Sequence, residues 1–178
     1  MKTITLKKKD ILDLSIICEG IIGKHSTQVD FKDIVQLQNL SVFFYEATGD
    51  FAKTYTLINE KKEELMKVAR KKAQDCKTSA LESLKKDLKK GEKITPEQTV
   101  SVDAQAQSVM NDCLKEIDEE IRPEMEKLYN GDGEKDHEIE IADEKLKILI
   151  AKFEEFAKDL YINKKQMVEV YGILTAAK

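Results

Sequence analysis

The stretch that decides the fold is FAKTYTLINEKKEELMKVARKKAQDCKTSALESLKKDLK, residues 51–89. Its apolar and small residues recur every three or four positions, which is the period of one face of an α-helix. No Gly or Pro interrupts the stretch. The pattern therefore predicts one long helix, and its inward alanines predict a close approach by a partner helix. The inward positions are Phe51, Tyr55, Ile58, Leu65, Ala69, Ala73, Cys76, Ala80, Leu84 and Leu88, with Lys62 in the one vacant place.

A second helical stretch follows a turn at residues 90–93. Thr95 can cap a helix, Pro96 suits its first position, and Gln98 can complete a capping box. Because Pro lacks a backbone N–H and crowds the preceding turn, Pro123 predicts a kink, or an ending and restart, in this helix. We expect an antiparallel, coiled-coil-like helical hairpin of 51–89 with 97–129. The inward positions of the second helix are Val102, Ala106, Val109, Cys113, Ile117, Ile121, Met125 and Leu128.

The two halves of this hairpin carry opposite charge. Residues 60–93 hold twelve Lys or Arg against seven acids, a net of +5, and residues 103–144 hold four against fifteen, a net of −11. Opposite signs on consecutive helices indicate that their flanking charges face each other. The acidic excess makes the second helix the better candidate surface for a basic protein partner. The candidate partner-binding residues are Asp118, Glu119, Glu120, Glu124 and Glu126.

Short alternating segments lie on either side of the hairpin. Residues 3–6 and 138–141 alternate apolar and polar side chains, as half-buried strands do, and an isolated strand is not stable in water. We therefore expect the two to pair. The whole chain is predicted to be a mainly α single unit with a minor two-stranded β element. Its three segments are 1–50, 51–130 and 131–178.

The remaining helices are predicted from their end signals. Asp10 is expected to cap a helix that stops at Gly23, and Asp30 to cap another that ends in the break Thr48-Gly49-Asp50. Asp143 is expected to cap a helix that closes at Asn163. A last short helix is expected over residues 164–177.

The Lys-rich stretch within 60–93 is also a candidate nucleic-acid surface. A nucleic-acid binder is expected to be net positive and to interleave arginines and aromatics with its lysines. Here Arg70 is the one arginine, and an acidic segment follows. Nucleic-acid binding by an accessory protein is therefore the alternative to a protein partner. Its candidate residues are Arg70, Lys71, Lys72, Lys85, Lys86, Lys89 and Lys90.

The sequence offers no catalytic or cofactor motif, such as a Gly-rich phosphate loop or a nucleophile elbow. Glu134 and His137 have the Glu-x-x-His spacing of di-iron bundles, but once only and in a loop with Gly131 and Gly133. Weak, unspecific cation binding is the most that the loop carboxylates predict. These carboxylates are Asp132, Glu134 and Asp136. We expect no enzyme, cofactor or metal site.

The compartment is predicted from the cysteines and from the apolar runs. Three dispersed cysteines are typical of reduced thiols inside a cell. No run approaches the roughly 20 apolar residues of a membrane span. The chain is therefore expected to be cytoplasmic, with no membrane association.

The opening Met1-Lys2-Thr3-Ile4-Thr5-Leu6, which runs into Asp10-Ile11-Leu12, resembles the start of a family of short phage-encoded helical proteins of unknown function. The segment Glu138-Ile139-Glu140-Ile141 and the closing helix extend this resemblance, which covers about the first fifty and last forty residues. It implies a phage or prophage origin, and so the host cytoplasm, and no activity. Together with the hairpin, it predicts a non-enzymatic helical interaction or assembly protein that binds itself or another protein.

Overall fold

The computed structural model describes residues 1–25, 29–88, 92–156, 171–172 and 174–175. These residues form a mainly α fold with one small sheet, as predicted. The elements are β1 (Lys2–Lys7), α1 (Lys8–His25), α2 (Phe31–Ala47), α3 (Asp50–Asp87), α4 (Pro96–Asn130), a 3₁₀ turn (Asp132–Glu134), β2 (Asp136–Ile141) and α5 (Asp143–Phe156). The chain divides into two compact units, 1–54 with 127–178, and 55–126.

The first unit has its core where α1 and α2 pack together. Ile11, Leu14 and Ile21 recur at helical spacing along α1 and are fully buried, as are Leu37 and Phe44 on α2. α5 adds Leu146, Leu149, Ile150 and Phe153 to the same cluster. Burying such side chains contributes roughly 1.5–3 kcal/mol each, so this cluster supplies most of the stability of the unit.

The predicted strand pairing is confirmed. β1 and β2 are antiparallel, with Ile4 opposite Ile139 and Lys2 opposite Ile141. One face of the pair is buried, and the side chains that alternate with it are exposed. The sheet therefore closes over the core of the first unit. The strands are longer than predicted, and the backbone N–H of Lys8 donates to the carbonyl of Lys135, at 3.0 Å, just beyond them.

Three predicted helix ends are wrong by one to three residues. α1 begins at Lys8, so Asp10 lies in its first turn and does not cap it. α1 also continues past Gly23 to His25. Asp143 is the first residue of α5 and not its cap. Acidic side chains favour either place, because both put them near the positive end of the helix dipole.

The break between α2 and α3 is confirmed. Asp30 is the N-cap of α2, although its side chain makes no capping hydrogen bond. At the other end the Thr48 hydroxyl donates to the carbonyl of Tyr45 at 2.8 Å. Gly49 follows with a φ of +55°, a conformation that residues with a Cβ rarely adopt. This turn allows α3 to begin at Asp50.

The second unit is made from α3 and α4, and the predicted hairpin is confirmed. The Gln98 N–H donates to the Thr95 hydroxyl at 3.2 Å, and the Thr95 N–H donates to the Gln98 side chain at 2.9 Å, so the predicted capping box is present. Of the two alternatives predicted at Pro123, a kink or an ending and restart, the second is wrong, because α4 runs through Pro123 to Asn130.

The last helical predictions fall mainly beyond the described residues. The described part of α5 ends at Phe156. Asn163 lies outside the described residues. So does most of the segment 164–177.

Candidate interaction surface

The five predicted acidic residues of α4 have three different surroundings. Glu120 and Glu124 both contact Lys61 of α3, whose Nζ lies 2.8 Å from each carboxylate. These hydrogen bonds raise the pKa of Lys61. Asp118 is paired with Arg122 on its own helix. In the part of the chain that the structure describes, Glu119 and Glu126 have no ion pair, and both are exposed.

A second contact joins the helices nearer the turn of the hairpin. Lys77 Nζ lies 2.6 Å from the carboxylate of Asp103. In both contacts α3 supplies the lysine and α4 the acid. The prediction that the basic and acidic helices face each other is therefore confirmed.

The inward positions of the hairpin are buried or half-buried, and several of them are small. Ile58 and Ala69 of α3 are buried, as are Cys113, Ile117 and Ile121 of α4. Most other predicted inward positions are half-buried. The alanines allow the close helix approach that the sequence predicts.

One side of the hairpin carries an apolar groove that sequence reasoning missed. We name it the Leu114 groove; its volume is about 390 Å³. Its apolar residues are Met66, Leu114, Ile117, Ile121 and Met125, and its charged residues are Lys62, Asp118, Arg122 and Glu126. Leu114 remains 38 % exposed in it. A neighbouring groove of about 460 Å³ includes Met110.

A sequence signal for this groove exists. Met110, Leu114, Ile117 and Ile121 are spaced by 4, 3 and 4 positions, which is a second coiled-coil seam on α4. The seam shares Ile117 and Ile121 with the one that faces α3. The seam that faces α3 already explains why Ile117 and Ile121 are apolar. The second seam, through Met110 and Leu114, is therefore easily overlooked.

The candidate nucleic-acid residues lie on α3. Those within the described residues are exposed, and none of them has an ion pair with another described residue: Arg70, Lys71, Lys72, Lys85 and Lys86. Lys89 and Lys90 lie outside the described residues. Acids alternate with the lysines on this helix, and Lys67 Nζ lies 2.6 Å from Glu64. The helix therefore presents mixed charge.

Two of the three loop carboxylates are held by lysines, three of which belong to the N-terminal segment. Glu134 accepts hydrogen bonds from Lys7 and Lys9. The carboxylate of Asp132 lies 2.9 Å from the Nζ of Lys8 and 2.9 Å from the Nζ of Lys135. These bonds lower the pKa of both carboxyl groups. The lysine ammonium groups therefore lie where the sequence suggested weak, unspecific cation binding.

The Glu-x-x-His pair is separated by a change of secondary structure. Glu134 ends the 3₁₀ turn, whereas His137 lies on β2 opposite Leu6. The two therefore do not share a helical face. Across the described part of the chain, no three His, Cys, Asp or Glu side chains are grouped as metal ligands.

Burial shifts the pKa of two titratable groups of α1. Burial, and then the charge of Asp10, raise the pKa of Asp13 to about 7. Burial raises the pKa of the Cys18 thiol to about 12. Cys18 is therefore a protonated core residue, not a nucleophile.

Comparison with protein-family models, with curated proteins and with solved structures found no match. Among the described residues, no helix has both the length and the apolar composition that a bilayer span requires.

Proposed function

We propose that this protein is a non-enzymatic interaction or assembly protein, of phage or viral origin, whose helical hairpin binds protein. The observation that carries the proposal is the surface of α4. There, exposed Glu126 lines the Leu114 groove beside its half-exposed apolar side chains, and exposed Glu119 lies on the same helix outside the groove. An apolar centre with a charged rim is the usual composition of a protein-binding surface.

The charge balance supports a partner for α4. Lys61 and Lys77 are the lysines of α3 that contact acids of α4 within the described residues. Of the eight acids in residues 103–130, Glu116, Glu119 and Glu126 have no ion pair within the described residues. The remaining carboxylates favour a partner with basic side chains at the rim.

The titration properties support a binding role over a catalytic one. Catalytic groups usually have strongly displaced pKa values and lie in a cleft. Among the described residues, none of the groups with a displaced pKa lines a groove of the hairpin. The proposal therefore contains no chemical step.

A photo-cross-linking amino acid placed at position 126 of the full chain, on the rim of the Leu114 groove, tests the proposal in the cells that produce it. We expect adducts with protein from this position. The matched control places the same amino acid at position 71, on the exposed lysine face of α3. Absence of any protein adduct from position 126 would contradict the proposal.

Nucleic-acid binding is the second candidate, favoured by the exposed and unpaired Arg70, Lys71 and Lys72 within the described residues. Its test is the anisotropy of a labelled DNA duplex titrated with the full chain at low and at physiological salt. Binding that weakens steeply with salt, and that is lost in the double variant Lys71→Glu, Lys72→Glu, would establish it. No binding at low salt would exclude it.

A further inference from the structure

We infer that a second copy of this chain docks on the Leu114 groove, so that two hairpins form a twofold-symmetric antiparallel four-helix bundle. The inference rests on the proposed function, since it names the partner of the same helix. It concerns residues 55–126 alone.

The first observation is the width of the apolar surface on α4. A helix with one partner needs a single narrow seam, whereas a helix in a bundle presents a broader apolar face. α4 has two seams, and only the one through Cys113 is covered by α3. Met110 and Leu114, which belong to the second seam alone, remain partly exposed. Their spacing matches that of residues in contact with a further helix.

The second observation is the charge of the two helices. A twofold axis parallel to the helices places α3 of one copy against α4 of the other. Each basic helix then has two acidic neighbours, and each acidic helix has two basic ones. Every neighbouring pair is antiparallel, as in an up-and-down four-helix bundle.

The third observation is that the rim of the groove is self-complementary. Within the described residues, neither Lys62 nor Glu126 has an ion pair, and both lie at the groove. Because Lys61 contacts Glu120 and Glu124, Lys62 lies level with that turn of α4. In the twofold arrangement the same turn of α4 from the second copy lies at this level. Its Glu126 is then within reach of Lys62 of the first copy. Each contact occurs twice, as an isologous interface requires.

The net charge of the unit also permits a second copy. Residues 55–126 contain fourteen basic and sixteen acidic residues, a net of −2. Two such units repel each other only weakly at physiological salt. A strongly basic partner is therefore not needed to neutralise the surface.

The test is the mass of the full chain, measured by sedimentation equilibrium over about a hundredfold range of concentration. A dimer of twice 20.3 kDa is expected. Leu114→Glu puts a charge into the groove and should weaken the dimer at least about 100-fold. The matched control is Val100→Glu, also on α4, where the valine is 67 % exposed and lies outside the groove. It should leave the mass unchanged.

Charge reversal at the rim gives a second test, which does not depend on replacing an apolar residue of the groove. Lys62→Glu and Glu126→Lys should each weaken the dimer about 10-fold, and the double variant should restore it, because the reversed pair is again complementary. Circular dichroism checks that each variant keeps its helices.

A monomer at all concentrations, an oligomer other than a dimer, a dimer that Leu114→Glu leaves intact, or charge reversals that do not compensate would overturn the inference. A monomer that still forms protein adducts from position 126 would overturn this inference alone. A monomer without adducts would also contradict the proposed function.

Discussion

The half-buried carboxyl of Asp13 should make the first unit less stable as the pH rises. Its pKa is about 7 in the folded chain, against 3.8 for the ordinary side chain. Below about pH 4 the carboxyl is protonated in both states. Between about pH 4 and pH 7 the unfolded chain releases the proton while the folded chain keeps it, so the free energy of unfolding falls. Above about pH 7 both states are ionised and the loss is complete.

The size of this loss follows from the displaced pKa. A change from 3.8 to about 7, at about 1.4 kcal/mol per pKa unit, amounts to at most about 4 kcal/mol. Because solvent reaches part of the side chain, we expect roughly 2 kcal/mol. Asp13→Asn keeps the shape without the ionisable group. It should match the parent chain near pH 4 and be more stable by this amount at pH 8.

Urea unfolding followed by tyrosine fluorescence measures the effect in the relevant unit, because four of the five tyrosines lie outside residues 55–126. The control is Glu138→Gln, which removes one acid at an exposed position of β2. It should keep the pH dependence of the parent chain. A stability difference between Asp13→Asn and the parent that does not change with pH would refute the reasoning. So would a direct NMR titration of the Asp13 carboxyl with a midpoint near 4.

Two further predictions concern the cap of α4 and a pair of glycines. Thr95→Ala removes the hydroxyl that caps α4 and should lower the free energy of unfolding by about 0.5–2 kcal/mol. The control Thr78→Ala lies inside α3 and should not lower the free energy of unfolding. Urea unfolding followed by circular dichroism measures both variants. Gly133→Ala should cost about 1–3 kcal/mol, because its Cβ would lie 3.0 Å from the ring of Phe51. Gly23→Ala has nothing within 4 Å and lies inside α1, so it should raise the thermal midpoint. Equal effects of the two glycine substitutions would contradict the packing argument.

The hairpin was predictable because its evidence is periodic and local. The stripe over 51–89 has ten steps at nearly constant helical spacing, and the capping box at Thr95 needs only four adjacent residues. The charge contrast between α3 and α4 also required nothing beyond counting. Helix ends were predicted less well, because a carboxylate stabilises the first turn from several neighbouring positions, as Asp10 and Asp143 show.

The lysine–carboxylate cluster of the first unit could not be predicted. Lys9 and Glu134 are 125 positions apart, and no periodic pattern connects them. Strand pairing decides their proximity: Lys7 is opposite Asp136 at the end of the ladder, which brings residues 7–9 to the 3₁₀ turn. The alternating pattern predicts the two strands but not their register. It therefore does not show which side chains meet beyond the ends of the ladder.

The composition of α3 gives a reason for the second seam of α4. Ala69, Ala73 and Ala80 allow α4 to approach closely, but each removes little apolar surface from water. A pair of helices joined mainly through alanines gains little free energy to offset the entropy of ordering both chains. Two larger side chains of α4, Leu114 and Met125, line the Leu114 groove and stay partly exposed there. Docking a second copy on them would add the missing burial, so hydrogen exchange within 55–126 should slow as the protein concentration rises, whereas exchange in the first unit should not change.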